Sequence, residues 1–142
     1  MRLEWLFPAL MLLLSLTLIS CGKRGDPFIP PPQGEDLRVT GLRGEWKGEF
    51  VLLSGRVREP IGEVAGLRAY YAAYPLDQAP CEGCPIQYQG FQSFGPDVIK
   101  GNGFSCRIAD IRPGNVYFFE VRVLGPGGGL GPGSNRVQVE VP

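Results

Sequence analysis

The residues with the most varied chemistry in this chain are its four cysteines, two of which form the motif Cys81-Glu82-Gly83-Cys84. Two thiols at this spacing can form a disulfide, exchange disulfides with a substrate or supply part of a metal site. Thioredoxin-like redox motifs place such a pair at a helix amino terminus, which lowers the pKa of the first thiol, and nothing after Pro85 has helical periodicity. The motif lies between two strand-like segments, where a β-turn with Gly83 at its third position brings the cysteines within disulfide range. We therefore favour a structural Cys81–Cys84 disulfide, which contributes only about 2 kcal/mol because its ring is small.

Two alternatives remain for these cysteines. One is a disulfide between Cys106 and a loop cysteine, and the other is redox or metal chemistry at the Cys81–Cys84 pair. Cys106 alternates with Phe104 and Ile108, a pattern typical of a buried and inert thiol. A four-thiolate metal site would lack its fourth ligand, because Cys21 is assigned another role below and the chain has no histidine.

Other residue patterns that support catalysis are missing from the sequence. Without histidine, it has no Ser-His-Asp or Cys-His nucleophilic site and no c-type haem ligand. It has no phosphate-binding GxxxxGK[ST] motif, and the glycines at 125–133 follow a strand pattern without opening a helix. We therefore expect a non-enzymatic protein without a cofactor or a metal. Charges balance, with 14 basic and 14 acidic residues, so neither nucleic acid nor an acidic lipid surface is predicted as a partner.

Cys21 ends an apolar leader, residues 1–20, in which Arg2 is the single basic residue. The apolar run from Leu6 to Ile19 is shorter than the roughly 20 residues that span a bilayer, and its length is typical of a signal peptide. Its end, Leu18-Ile19-Ser20-Cys21, resembles the lipobox of bacterial lipoproteins. The resemblance implies cleavage before Cys21, a diacylglycerol on its sulfur and an acyl chain such as palmitate on the new amino terminus.

This lipidation would anchor the mature chain to a membrane on the extracytoplasmic side. Each buried methylene contributes about 0.8 kcal/mol, so two or three acyl chains hold a protein stably. Gly22 follows the cysteine, where enterobacterial lipoproteins retained in the inner membrane often have aspartate. The resemblance therefore implies the outer membrane, with the protein facing the periplasm.

A tether, residues 21–35, separates the lipidated cysteine from the rest of the chain. It has no hydrophobic periodicity, and Pro30-Pro31-Pro32 predicts a stiff polyproline II spacer of about 3.1 Å per residue. Its start, Cys21-Gly22-Lys23-Arg24-Gly25-Asp26-Pro27, resembles small Gram-negative lipoproteins, some of which accompany the lipopolysaccharide export machinery. An accessory role in outer-membrane or lipopolysaccharide assembly is therefore an alternative function.

Residues 36–142 contain short segments in which apolar and polar residues alternate, separated by turns rich in glycine and proline. None of these segments has a convincing helical period. Seven strands over about 105 residues are typical of an immunoglobulin-like β-sandwich. The predicted strands are 37–40, 50–54, 67–74, 86–94, 104–108, 117–124 and 136–141.

The second half of this region resembles the fibronectin type III family. Its Ile111-Arg112-Pro113-Gly114-Asn115-Val116-Tyr117 matches the family's Leu-x-Pro-Gly-x-x-Tyr motif, and the Gly-rich stretch 125–133 before Ser134 matches a loop of that family. The resemblance implies a tyrosine corner, in which Ile111, Pro113 and Gly114 form the turn and the Tyr117 hydroxyl bonds back to it. The family usually has a core tryptophan where this chain has Gly55, and Trp46 is the nearest substitute.

Aromatic residues cluster on the predicted middle strands: Tyr70, Tyr74, Tyr88, Phe91 and Phe94. Those that face outward would form an apolar patch suited to a protein partner. We therefore favour a membrane-anchored interaction or scaffold module that binds an unidentified envelope protein. A thiol-disulfide redox protein that uses Cys81 and Cys84 is the second alternative.

Overall fold

The computed structural model describes residues 37–58 and 64–142. The predicted leader, the lipidation site Cys21 and the predicted tether all lie outside the described residues. The described chain forms eight β-strands and two single-turn 3-10 helices, Leu76–Gln78 and Pro96–Val98. The strands are β1 Val39–Trp46, β2 Val51–Val57, β3 Gly66–Pro75, β4 Gly90–Phe94, β5 Ile99–Lys100, β6 Gly103–Ile108, β7 Asn115–Leu124 and β8 Val137–Val141. Within these two ranges, no helix is long and apolar enough to cross a membrane.

The strands form two antiparallel sheets that pack face to face. The first sheet has the order β1-β2-β6-β5, and the second has the order β4-β3-β7-β8. Alternate side chains of both sheets point into one shared core, because successive residues of a strand face opposite sides. The predicted all-β sandwich is therefore confirmed.

The core is built mainly from β2, β6 and β7, with smaller contributions from β1, β3 and β8. Phe119 and Leu53 are among its largest fully buried side chains. Gly55 also faces inward, and a side chain at this position would collide with the Phe104 ring. Phe104 therefore occupies the space beside Gly55, while Trp46 packs against the core from the end of β1.

Three strand predictions need correction. The first strand continues to Trp46 through a β-bulge between Thr40 and Arg43, which interrupts the alternation expected of a strand. The two-residue strand β5 was not predicted, because two residues are too short to show a period. The predicted strand 86–94 begins only at Gly90, and residues 86–89 belong to the β3–β4 loop.

A side chain replaces the backbone where that strand was expected to continue. The Gln89 amide nitrogen donates to Tyr71 O at 2.9 Å, as a strand residue would. Beyond it, the Gln89 side chain takes over the pairing: its Nε2 donates to Ala73 O at 3.0 Å, and its Oε1 accepts from Ala73 N at 3.1 Å. Gln89 thus satisfies the backbone of β3 while the preceding residues leave the sheet.

Candidate interaction surface

The outward face of the second sheet carries a cluster of aromatic and charged side chains, in which Phe91 is exposed and the others are half-buried. Tyr70 on β3 pairs with Phe91 on β4 and with Glu120 on β7. The next row pairs Arg68 directly with Arg122. Like charges in opposite positions destabilise a sheet unless other groups compensate them. The neighbours of these two arginines therefore decide whether the surface is stable.

Both arginines stack on aromatic rings, but only Arg122 also binds a carboxylate, and the buried Nε of Arg68 has no hydrogen-bond partner among the described residues. The Arg68 guanidinium lies 4.3 Å from the centroid of the Phe91 ring, and that of Arg122 lies 5.5 Å from the Tyr70 ring. Arg122 Nε also donates to Glu120 Oε1 at 2.9 Å. These contacts direct the two guanidinium groups to different partners and offset their repulsion.

The rings themselves form a continuous layer. The Tyr70 centroid lies 5.7 Å from that of Phe91 and 5.9 Å from that of Tyr88, both in tilted geometry. Phe91 is the most exposed large apolar side chain of the described residues, at 53%. We call this surface the aromatic patch; it consists of Arg68, Tyr70, Tyr88, Phe91 and Arg122.

The β3–β4 loop, residues 76–89, carries Tyr88 to this surface. The Tyr88 hydroxyl donates to Glu120 Oε2 at 3.1 Å. Burial, together with the charge of Glu120 and this hydrogen bond, raises the pKa of Tyr88 to about 12. The phenol therefore remains a neutral donor at physiological pH, and it fixes the end of the loop against β7.

The disulfide lies in the same loop. Cys81 and Cys84 are bonded, with their Cα atoms 5.3 Å apart, so the predicted bridge is confirmed. The Cys84 amide donates to Cys81 O at 3.0 Å in a turn that requires the positive φ of 79° at Gly83. Arg136 Nη1 donates to Cys84 O at 2.8 Å, which ties the turn to the segment before β8.

Cys106 is a free thiol in the core, 2% exposed, and does not bond to either loop cysteine. Burial, with a smaller contribution from Asp97, raises the pKa of its thiol to about 12. The alternative bridge from Cys106 is therefore wrong, because the partners it needs are bonded to each other. In the described part of the chain, no three or more histidine, cysteine, aspartate or glutamate side chains are grouped as a metal site.

The residues of the proposed tyrosine corner come together at the β6–β7 turn. Tyr117 is 3% exposed, and its hydroxyl accepts a hydrogen bond of 2.7 Å from the Arg112 amide. Gly114 has the positive φ of 76° that the turn requires, and Pro113 O accepts a bond from the Asn115 side chain. Ile111 packs against the core beside this turn.

Sequence reasoning named the aromatic residues of the patch but not its charged ones. Arg68 and Arg122 occupy outward positions in clear alternating patterns, so the face on which they lie was predictable from the sequence, although both are half-buried. Their juxtaposition was not, because it depends on the register of β3 against β7. Phe94, which was grouped with the other aromatics, packs against the core instead.

The comparisons bear on the fold. No protein-family model matches the chain, and no curated protein matches it in sequence. Among solved structures, the chain is similar to one described as "Myokine structure", with 17% identity and a TM-score of 0.51; the match covers 75% of this chain and 97% of that one. The fold is fibronectin type III-like. At this identity the likeness concerns the fold alone.

Proposed function

We propose that this protein is a non-enzymatic interaction module of the bacterial cell envelope, anchored by lipid at Cys21 and bound to an envelope protein through the aromatic patch. The observation that carries the proposal is the exposed Phe91 ring, held between Arg68 and Tyr70. Aromatic residues and arginine are enriched in protein interfaces, where they supply much of the binding energy. A fibronectin type III-like sandwich is consistent with such a role, although many functions share that fold.

The patch is suited to binding because its side chains are already fixed. Phe91 and Tyr70 restrain each other, and Tyr88 is fixed by Glu120 and by the loop that the disulfide closes. Ordering a mobile side chain at an interface costs roughly 0.5–1.5 kcal/mol. A surface whose rings are held before binding avoids much of that cost.

Photocrosslinking tests this part of the proposal. A photoreactive phenylalanine analogue at position 91 should yield a discrete adduct with one envelope protein in intact cells. Leu130, which is 36% exposed on the β7–β8 connection, is the control position. The adduct should disappear when Arg68→Ala is added. Equal adducts from both positions would show that the patch is not a binding surface.

The anchor is supported by the lipobox-like sequence Leu18-Ile19-Ser20-Cys21. Mass spectrometry of the mature protein should find an amino-terminal Cys21 that carries acyl chains, in the outer-membrane fraction and facing the periplasm. Cys21→Ser should leave an uncleaved precursor, whereas Ser20→Ala should still be processed because it keeps a small residue at the cleavage site. A soluble product that begins elsewhere would contradict the lipid anchor.

Two alternative functions make different predictions. A role in outer-membrane or lipopolysaccharide assembly is supported only by residues 21–32, so deleting 23–32 while keeping Cys21 should abolish that role but leave partner binding at Phe91 intact. A redox role depends on rapid exchange at the Cys81–Cys84 disulfide. The turn gives that role no support, since no helix begins at Cys81 or Cys84 to stabilise a thiolate; the 3-10 helix of this loop, Leu76–Gln78, ends before the pair.

A further inference from the structure

The outer face of the first sheet carries exposed basic side chains on all four strands. Cross-strand partners share a face, and the register pairs Thr40 with Arg56, Arg43 with Ser54 and Leu52 with Arg107. Lys100 joins the same side, because it pairs with Gly103, the partner of Arg56. We call this surface the basic face; its cationic residues are Arg43, Arg56, Lys100 and Arg107, and all four are exposed.

Hydroxyl groups lie between these cations. Ser54 and Ser105 pair in the centre of the face. Thr40, Arg43, Ser54 and Arg56 line an open depression of about 560 Å³ beside the bulge of β1. Cationic guanidinium groups beside hydroxyl donors form a surface that complements phosphate oxygens.

Asn135 fixes the shape of this depression. Its Oδ1 accepts from Leu42 N at 2.9 Å, and its Nδ2 donates to Leu42 O at 3.0 Å. These bonds satisfy the backbone of the bulged residue, which the β1–β2 ladder leaves unpaired. The bulge therefore keeps a fixed spacing between Thr40 and Arg43, the two residues of β1 that line the depression.

Acidic groups do not neutralise the basic face. Among the described cross-strand pairs on this face, Glu45 is the one carboxylate. Its Oε1 lies 2.6 Å from Lys47 Nζ, so it is already paired. Asp97 lies at the margin, beside Lys100 in a separate depression. None of the four cations forms an ion pair with another described residue. The balanced charge of the whole chain therefore conceals an uneven distribution, in which this face carries four cations without an ion pair among the described residues.

We propose that the basic face lies against the phosphate headgroups of an anionic membrane. This inference rests on the proposed lipid anchor at Cys21, because the anchor supplies the membrane. The chain enters the sandwich at Leu37, 16 residues after Cys21, and β1 of the basic sheet follows immediately. Those residues can extend to about 55 Å at most, so the domain stays within reach of the bilayer that holds its lipid.

A membrane explains the arrangement better than a nucleic acid does. Proteins that bind single-stranded nucleic acid combine basic side chains with exposed aromatic rings on which bases stack. On the basic face the nearby ring is Phe50, and the Arg107 guanidinium covers it at 4.0 Å. Cations distributed over four strands instead suit many separate headgroups. This orientation would direct the aromatic patch, on the opposite sheet, away from the bilayer and toward a partner.

Vesicle sedimentation tests the proposal with the mature chain, residues 21–142, carrying Cys21→Ser so that no acyl chain contributes. This chain should bind to vesicles made of an equimolar mixture of phosphatidylglycerol and phosphatidylcholine. It should bind much less to vesicles of pure phosphatidylcholine. Each basic residue near an anionic surface raises the binding constant about fivefold, so the triple variant R43Q/R56Q/R107Q should lose roughly 100-fold. Binding should also weaken as salt is added.

Two controls separate charge from folding and from position. The triple variant R43K/R56K/R107K keeps the charge, and its vesicle binding constant should lie within a few-fold of that of the parent. Arg112→Gln removes one arginine from a turn outside the face and should leave the binding constant unchanged. Thermal unfolding of each variant confirms that it is folded. Equal binding to both kinds of vesicle, full binding by the glutamine variant, or tighter binding to an oligonucleotide than to anionic vesicles would each overturn the proposal. If Cys21 proves to be unlipidated but the vesicle result is as expected, the proposed anchor is refuted and membrane binding by the basic face is retained. If Cys21 is lipidated but the vesicles are not bound, the anchor is retained and binding by the basic face is refuted.

Discussion

Replacing Tyr117 with phenylalanine tests how much one hydrogen bond stabilises the sandwich. The substitution keeps the ring, which stacks on Phe119 with centroids 5.9 Å apart, and removes only the hydroxyl. The hydroxyl accepts from the Arg112 amide at 2.7 Å and so fastens the β6–β7 turn to β7. Any loss of stability therefore reports on this bond and not on packing.

The expected loss follows from what replaces the bond. An ordinary hydrogen bond contributes about 0.5–1.5 kcal/mol to the free energy of unfolding, because water takes its place in the unfolded chain. The bond is only partly buried, so the loss should fall within this ordinary range and not at the higher cost of a fully buried donor left without a partner. We therefore expect a loss of about 1 kcal/mol, which lowers the melting temperature of a domain of this size by about 4 °C.

Urea unfolding and amide hydrogen exchange measure the effect. Tyr74→Phe is the matched control, because the Tyr74 ring packs edge-on against Phe118 and its hydroxyl has no hydrogen-bond partner among the described residues. Tyr117→Phe should lower the urea midpoint and speed exchange of the Arg112 amide, whereas the control should do neither. If the two variants have equal stability, or if the Arg112 amide exchanges at the parental rate, the Tyr117 hydroxyl does not stabilise the turn.

Three further predictions concern the cysteines and the aromatic patch. The double variant C81S/C84S should fold and lose about 2 kcal/mol in urea unfolding, because the ring that it opens is small. Cys106 should resist alkylation in the native protein at neutral pH and react after unfolding, since burial raises the pKa of its thiol to about 12. Because the thiol has a higher pKa in the folded state, its contribution to stability is complete below about pH 9 and is lost as the pH rises toward 12. As the pH is raised above about 9, Cys106→Ala should therefore lose less stability than the parent in urea unfolding. Phe91→Ala should change the melting temperature by less than about 2 °C but abolish binding of the envelope protein that crosslinks to position 91 in the parent chain.

The sequence predicts those features that depend on neighbouring residues. The alternation of apolar and polar residues on β3, β6 and β7 indicated which side chains face the core, because a strand has a period of two. The turn around Gly83 was predictable for the same reason, since a β-turn needs only four adjacent residues and one positive φ. These local patterns suffice for the fold class and for the Cys81–Cys84 disulfide.

Features that depend on register or on distant contacts were not predictable. Residues 86–89 have a strand-like sequence, but Tyr88 binds Glu120 and Gln89 replaces the next strand pair with its side chain. The basic face was not predictable from the net charge, because that charge is a sum over the chain. Arg43, Arg56 and Arg107 lie on one face only because β1, β2 and β6 pair in the observed register. No single window of the sequence contains all three.

The two outer faces of the sandwich differ in what holds their charged groups, and this difference separates their roles. On the second sheet, Arg122 binds Glu120 and stacks over Tyr70, so its charge is already engaged within the protein. On the first sheet, Arg43 and Arg56 have no such partner among the described residues. An unpaired exposed arginine adds little to folding stability, so removing it should affect binding and leave unfolding unchanged. Removing Arg122 should instead weaken the sheet itself, because Glu120 would lose its partner beside Tyr88.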